Sequence, residues 1–484
     1  MGHKQFKRIL IANRGEIAVR IINTCREMGI ETVVASTPPD SGSLFTEMAD
    51  FCHSFDSSNL KETYLNSQVM LQVAKFYKCD AVHPGYGFLS ENARFAEDCK
   101  NEGISFIGPA PELIDLMGDK IKARKKMASI GIPLLKAYTN PDAGQLTKTL
   151  KKEHYPYLIK AAAGGGGRGM RIVNKKEDLK NALESASREA ENAFADKTVY
   201  VERYLQNCRH IEVQVISDLF GNHLHLFERE CSIQRRHQKI IEESPSAALN
   251  KKQRNEICEA ALKITKNINY LNAGTIEFLW AGGEFFFLEM NTRLQVEHPV
   301  TEQISGVDLV KLQIQIAQGE KLTLKQSDIK IKGHAIEARV YAEDPCHGFL
   351  PTAGKVNHTG HCNIPGVRVE TSFQNGSSVP TEYDSMIAKV AAHSQSRDEA
   401  RLKLLSALEK LPFNGVKNNR TFLMKILKNS NFIKARTFTS FIDSNPDLFA
   451  DYEVSPELIA AFFLTGSAVD SRSSAGESNP WLNS

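Results

Sequence analysis

Four consecutive glycines, Gly164 to Gly167, stand between two segments of strand character, Tyr157-Leu-Ile-Lys160 and Met170-Arg-Ile-Val173. Two short strands joined through glycine form a tight flap, and its bare backbone N–H groups can close over phosphate oxygens without side chains in the way. The run does not fit GxxxxGK[ST], and no helix follows it, so a helix N-terminus is not the phosphate site. With Lys160 just upstream, the segment reads as a nucleotide flap.

The opening hundred residues set the fold class. Arg8 to Ala12 reads as a strand and Asn13-Arg-Gly15 as a turn. A helix follows with Ile17, Ala18, Ile21, Ile22, Cys25 and Met28 on one face, and Thr32 to Ser36 is the next strand. Helix–strand units recur over Tyr64 to His83 and Arg94 to Gly108. This alternation predicts a doubly wound parallel α/β domain. Asn13-Arg-Gly-Glu16 is not GxGxxG, so dinucleotide binding has little support.

A length of 484 residues allows several domains, and a net charge of +3, spread along the chain, argues against a nucleic-acid surface. No stretch is apolar enough to span a bilayer, and the nine cysteines form no CxxC pair. A cytoplasmic protein is expected, or a matrix protein if a transit peptide has been removed.

Acidic residues converge further on. Thr275 to Asn291 reads as a hairpin around Gly282-Gly283. A two-residue loop would pair 281 with 284 and put Glu277 and Glu289 on opposite faces. A three-residue loop would pair 277 with 287 and bring Glu277, Glu289 and Asn291 together, with Leu279, Phe285 and Phe287 beside them. Hard oxygen ligands of this kind suit Mg²⁺ or Mn²⁺. In extended chain, Arg293, Gln295 and Glu297 would project together as a cradle for a small oxyanion, with Glu297 as a base. The basic run Gln234-Arg-Arg-His237-Gln-Lys239 is either a solvated face or a site for phosphate or a small acid. Cys231 has no base at fixed spacing, so it is not read as a nucleophile.

Taken in order, these segments resemble the biotin carboxylase component of biotin-dependent carboxylases, in the ATP-grasp superfamily. The likeness runs through Arg8-Ile-Leu-Ile-Ala-Asn-Arg-Gly-Glu, His83-Pro-Gly-Tyr-Gly-Phe-Leu-Ser, Met117-Gly-Asp-Lys120 and the glycine flap. It continues in Glu289-Met-Asn-Thr-Arg-Leu-Gln-Val-Glu-His-Pro, Gly333-His-Ala-Ile-Glu-Ala-Arg339 and Tyr383-Asp-Ser-Met-Ile387. It implies an N-terminal doubly wound domain (1–118), an ATP-grasp domain (119–330, lid around 134–204), a C-terminal α+β domain (331–449) and a disordered or linker tail (450–484).

The resemblance also implies roles. Lys120, Lys160, Gly164, Gly165, Gly166, Gly167 and Gly169 match the ATP phosphate site. Glu202, Arg203, Tyr204 and Leu205 match the adenine hinge through their backbone, and His210, Gln234, His237 and Leu279 line the nucleotide site. Glu277, Glu289 and Asn291 match the metal ligands. Lys239, Arg293, Gln295, Val296 and Glu297 match the bicarbonate pocket, with Glu297 as base, Arg293 stabilising the biotin enolate and Lys239 also catalytic. Tyr86, Arg339 and Asp384 match the biotin site. The implied reaction is ATP-dependent carboxylation of biotin through carboxyphosphate. The implied partners are a biotin carboxyl carrier, a carboxyltransferase and a second copy of the chain. No Met-Lys-Met signature is present, so the biotin is expected on another polypeptide or a further region. The parent enzyme is open between acyl-CoA and pyruvate carboxylases, and another ATP-grasp carboxylate–amine ligase is the alternative activity.

Overall fold

The computed structural model describes residues 4–449 apart from 140–145, 147–148, 151–154, 163–169, 195, 357, 360–361 and 412. Both the glycine flap and the tail therefore lie outside the described residues. Five parallel strands open the chain: β1 (Arg8–Ile11), β2 (Glu31–Ser36), β3 (Phe51–Ser54), β4 (Ala81–His83) and β5 (Ser105–Phe106), in the order β3-β2-β1-β4-β5. Helix Gly15–Glu27 sets Ile17, Ile21 and Cys25 against Ile9 and Ile11 on one face. Helices Ser67–Phe76 and Ala93–Asn101 cover Leu10, Val33 and Val82 on the other. Burial on both faces is what a parallel sheet needs, and the doubly wound reading holds.

Next come β6 (Ala137–Thr139), β7 (Tyr157–Ala161), β8 (Arg171–Val173) and β9 (Val199–Arg203), a four-stranded antiparallel sheet in the order β6-β9-β7-β8. As the flap reading requires, β7 and β8 are antiparallel neighbours, with Tyr157 opposite Val173 and Ile159 opposite Arg171. Helix Leu179–Phe194 buries Leu179, Leu183, Ala186 and Ala190 against this sheet.

The largest sheet has eight strands. Its first six are β10 (Arg209–Ser217), β11 (His223–Arg235), β12 (Gln238–Ser244), β13 (Asn272–Ala281), β14 (Glu284–Asn291) and β15 (His334–Tyr341). Strands Met386–Ser394 and Val367–Glu370 complete the order β14-β13-β10-β11-β12-β15, then Met386–Ser394, then Val367–Glu370. One sheet thus crosses from the central segment into the C-terminal one. Helix Lys251–Asn267 packs on it through Ile257, Ala261 and Ile264, and helix Arg397–Lys410 through Leu404, Ala407 and Leu408. Among the described residues, no helix is long and apolar enough to cross a membrane.

A row of carboxylates and cations as the candidate active site

Strand register assembles the site. Arg229 on β11 stands opposite Glu212 on β10, Glu212 opposite Glu277 on β13, and Glu277 opposite Glu289 on β14. The result is one row of side chains across four strands. Buried acids so placed repel one another unless cations lie between them. Lys239, opposite Gln234 near the start of β12, supplies one. Its Nζ donates to Glu212 Oε2 at 2.5 Å, Glu277 Oε1 at 2.8 Å and Glu297 Oε1 at 2.7 Å. Arg229, fully buried, donates to Glu212 Oε1 at 2.5 Å and to Gln214, Thr275 and Thr301. On the other side of Glu297, Arg339 of β15 reaches Oε2 at 2.7 Å and binds Glu242 Oε1 at 2.6 Å.

These contacts set the charge states. Burial alone would raise the Glu297 carboxyl, but Lys239, Arg339 and Arg229 outweigh it and hold the group well below the usual carboxylate range. Glu277 is likewise held down against its burial, by Lys239 and His210. Lys239 is driven up, because Glu212, Glu277 and Glu297 together overcome the cost of burying an ammonium. Burial raises Glu242 to about 7, with Arg339 opposing.

The hairpin meets the row by a different route from the one expected. Its loop has two residues, with Ala281 opposite Glu284. Gly282 (φ 61) and Gly283 (φ 89) both take the left-handed region that such a turn demands. A bulge between Phe278 and Glu277 then shifts the register so that Glu277 faces Glu289. One extra residue in β14 does the work assigned to a longer loop. A consequence is that Leu279 pairs with Phe286, while Phe285 and Phe287 join Phe278 on the opposite face.

Arg293, Gln295 and Glu297 do converge, but not along a strand. Strand β14 stops at Asn291, and Glu297 (φ −83, ψ 16) is already the residue that caps helix His298–Ser305. The turn lets Gln295 Nε2 reach Glu277 Oε1 at 3.1 Å, while Arg293 donates to Gln295 Oε1 at 2.9 Å and Asn291 Oδ1 at 3.1 Å. Asn291 Nδ2 donates to the same Glu277 oxygen at 2.8 Å. Arg293 also binds Glu91 Oε2 at 2.8 Å, tying the site to the N-terminal domain.

The residues expected at the ATP phosphates lie at the junction with the four-stranded sheet. Asp119 caps helix Lys120–Ser129, so Lys120 begins it, and the Lys120 N–H donates to Ala162 O at 3.2 Å beside the flap. Lys120 Nζ lies 3.7 Å from Glu289 Oε2. Lys160, buried on β7, pairs with Glu202. The Glu202 side chain also faces Arg124 at 3.3 Å, so this residue offers a carboxylate as well as the backbone expected of it. Tyr204 N–H donates to Pro156 O at 3.2 Å, and Arg203 is exposed with Leu205 just beyond the strand. His210 sits opposite Leu279; its Nδ1 accepts from Gln234 at 3.2 Å and its Nε2 lies 2.9 Å from Glu277 Oε2.

The basic run is not one solvated face. Arg235 binds Glu343 at 2.9 Å and lies over Phe349, whereas Arg236 and His237 form an exposed turn. Of the residues matched to biotin, Arg339 is in the row. The Tyr86 ring lies 5.8 Å from the Lys389 ammonium on the neighbouring strand. Asp384 is exposed and accepts from the Met386 N–H at 2.9 Å.

Three family models match in succession: biotin carboxylase N-terminal domain over 5–114, carbamoyl-phosphate synthase L chain ATP-binding domain over 119–325, and biotin carboxylase C-terminal domain over 337–444. Biotin carboxylase 2 of Bacillus subtilis is 46% identical over 440 residues, which cover 90% of this chain and 99% of that one. The chain belongs to the biotin carboxylase family. A pyruvate carboxylase subunit of Methanothermobacter thermautotrophicus is 45% identical, with 90% of each chain covered. Pyruvate carboxylase of Bacillus subtilis is 44% identical, but the match spans 93% of this chain and only 40% of that longer one. The biotin carboxylase domain of Hydrogenobacter thermophilus 2-oxoglutarate carboxylase superposes with a TM-score of 0.90 at 42% identity. That match covers 93% of this chain and 100% of that one, which was solved as a dimer with MgADP, ADP and bicarbonate.

This biotin carboxylase carries out the ATP-dependent carboxylation of biotin with bicarbonate, and the carboxylate–amine ligase alternative falls. The residues present suit the metal. Glu277 is kept ionised, Glu289 faces it across the hairpin, Asn291 adds a neutral oxygen, and the Lys120 ammonium already stands beside Glu289. Sequence reading passes over Glu91, Glu212, Arg229 and Glu242. A signal for Glu212 exists in Arg209 to Val215, where His210, Glu212 and Gln214 alternate with apolar Ile211, Val213 and Val215.

Proposed function

We propose that the row divides the reaction between its two ends, joined by Lys239. At the nucleotide end, Lys120, Lys160 and the glycines of the flap hold the ATP phosphates, with His210, Gln234, His237, Leu279 and the 202–205 backbone around the nucleotide. Mg²⁺ held by Glu277, Glu289 and Asn291 would offset the charge on the phosphates. At the other end, Lys239, Arg293, Gln295 and the Val296 backbone receive bicarbonate, and Glu297 takes its proton.

The deprotonated bicarbonate oxygen forms a bond to the γ-phosphorus as the bond to the ADP oxygen breaks, giving carboxyphosphate. Its C–O bond then cleaves to CO₂ and phosphate. The phosphate accepts the biotin N1′ proton, Arg293 stabilises the enolate, and N1′ attacks CO₂, with Tyr86, Arg339 and Asp384 around the ring. The observation that carries this reading is the single ammonium of Lys239, bonded both to Glu277 on the metal side and to Glu297 on the bicarbonate side. Glu297 binds protons poorly while Lys239 and Arg339 hold it. It gains basicity as those cations turn to bicarbonate and biotin.

The biotin is presented by a carrier protein or domain, the carboxyl group passes on to a carboxyltransferase, and the chain works as a homodimer in the cytoplasm. Segments 1–118, 119–330 and 331–449 are taken as its domains. Relatives named for pyruvate carboxylase and for methylcrotonoyl-CoA carboxylase match at similar identity, 45% and 44%. The acceptor is therefore assigned to the partner. The test measures bicarbonate-dependent ADP release with free biotin and with an equimolar biotinylated carrier domain. Faster turnover with the carrier is expected, because tethering raises the local concentration of the ring. Equal rates would remove the carrier from the proposal, and release independent of bicarbonate would remove the assigned end of the row.

A further inference from the structure

Lys389 interrupts an apolar strand run, Ile387-Ala388 before it and Val390-Ala391-Ala392 after it. Its side chain is 0% exposed. A lysine in such a place costs several kcal/mol of desolvation unless every donor is used, on the order of the burial penalty for any single ion. Its ammonium forms ion pairs with Glu370 Oε2 at 2.7 Å and Glu16 Oε1 at 3.2 Å, and it donates a hydrogen bond to the backbone carbonyl of Val296 at 2.9 Å. The two carboxylates would suffice to neutralise it. The third contact reaches the turn that carries Gln295 and Glu297.

Register shows how that contact is made. Lys389 stands directly opposite Arg339 on β15. Arg339 binds the Glu297 carboxylate, and Lys389 binds the carbonyl immediately before Glu297 in the chain. Two cations at one level of the sheet thus hold the head and the backbone of the same residue. A peptide group is planar, so fixing the Val296 carbonyl also fixes the following N–H and the direction in which Glu297 leaves the backbone.

We propose that Lys389 is a positioning residue for the reaction: it sets the Val296–Glu297 peptide and so aims the Glu297 carboxylate at bicarbonate. This rests on the assignment of Glu297 to bicarbonate made above. Lys389 touches no substrate; it acts through the turn. A misaimed base slows proton removal without loosening ATP, since the phosphate side is built on other strands.

The test compares Lys389→Arg, Lys389→Met with Glu370→Gln, and Glu297→Gln by bicarbonate-dependent ADP release, with KM measured separately for bicarbonate and ATP. The Met/Gln pair removes the ammonium together with its nearest carboxylate; Arg368 keeps Glu302, and Glu16, which burial raises to about 8, can take up a proton. Either folded Lys389 variant is expected to lose about tenfold or more in kcat/KM for bicarbonate while KM for ATP stays within about twofold. A purely structural lysine would lower activity in proportion to folded protein and leave both KM values alone. Wild-type bicarbonate kinetics in a folded Lys389 variant, with Glu297→Gln impaired, would overturn the positioning role only. Wild-type bicarbonate kinetics in Glu297→Gln would overturn the assignment beneath it. If the Met/Gln pair fails to fold, Lys389→Arg, which keeps the charge, decides by the same two constants.

Discussion

Glu212 and Glu277 face each other directly across β10 and β13, and one ammonium, that of Lys239, bonds both at 2.5 and 2.8 Å. Arg229 holds Glu212 from the far side, while the Lys239 ammonium lies against both carboxylates at once. Lys239→Gln is expected to lower the unfolding free energy by about 3 kcal/mol or more, the scale for stripping one partner from a buried ion pair. Adding Glu277→Gln, which removes one carboxylate that Lys239 neutralises and leaves the Arg229–Glu212 pair intact, should restore a substantial part. Urea unfolding at pH 8 checks this; equal stabilities of the two variants would show that Lys239 does not hold the row together.

Glu297→Gln should slow bicarbonate-dependent turnover on the order of 10²-fold, the usual scale for loss of a general base. KM for ATP should remain near its wild-type value. A variant that loses nucleotide affinity and keeps its turnover would assign Glu297 elsewhere.

Glu289 is partly exposed, so Glu289→Gln should fold normally. ADP release should nearly vanish, and the Mg²⁺ concentration giving half-maximal rate should rise. A normal Mg²⁺ titration with normal turnover would take Glu289 out of the metal set.

Arg236 (φ 48) and His237 (φ 67) adopt left-handed backbone at the β11–β12 turn, where residues with side chains pay about 1–2 kcal/mol each. Replacing the pair with Asn-Gly, which suits a two-residue hairpin turn, should raise the melting temperature. It should also raise KM for ATP if His237 lines the nucleotide site as proposed. An unchanged ATP constant would leave the strain without that function.

Glu243 gives a pH prediction. Burial would raise it, but Arg397 and the hydrogen bond from His334 Nε2 bring it down to about 2 from 4.5. Its folded value is depressed, so its contribution is fully present above the unfolded value and fades as pH falls toward the folded one. Acid titration followed by circular dichroism should show Glu243→Gln less stable than wild type near neutrality, with the gap closing from about pH 5 downward. A gap that widens with acid would reverse the sign.

Much of this arrangement is legible in order but not in register. The β–α alternation of the first hundred residues points to the doubly wound sheet, and the glycines mark a strand-to-strand connection, because both are local patterns. The meeting of Glu277 with Glu289 is legible too, yet through the wrong loop. A bulge is a one-residue excess in one strand that only its neighbour reveals, and nothing in Phe285-Phe286-Phe287-Leu288 signals where it falls. Glu212, Arg229 and Glu91 escape notice for a similar reason. Each acquires meaning from a residue opposite it on another strand or in another domain. Lys389 is the extreme case, since its partners come from residues 16, 296 and 370.

The eight-stranded sheet runs without a break from β14 to Val367–Glu370, so the Glu277–Glu289 hairpin and the Arg339–Lys389 pair are parts of one hydrogen-bonded plate. Strands β7 and β8, which flank the glycines in the chain, belong to the separate four-stranded sheet. With the ends of the row assigned as proposed, the distance from the phosphate-cleaving end to the biotin end is set by strand spacing within that plate. An intermediate handed between those ends would cross a fixed number of hydrogen-bonded strands, and movement within the four-stranded sheet would not re-register them.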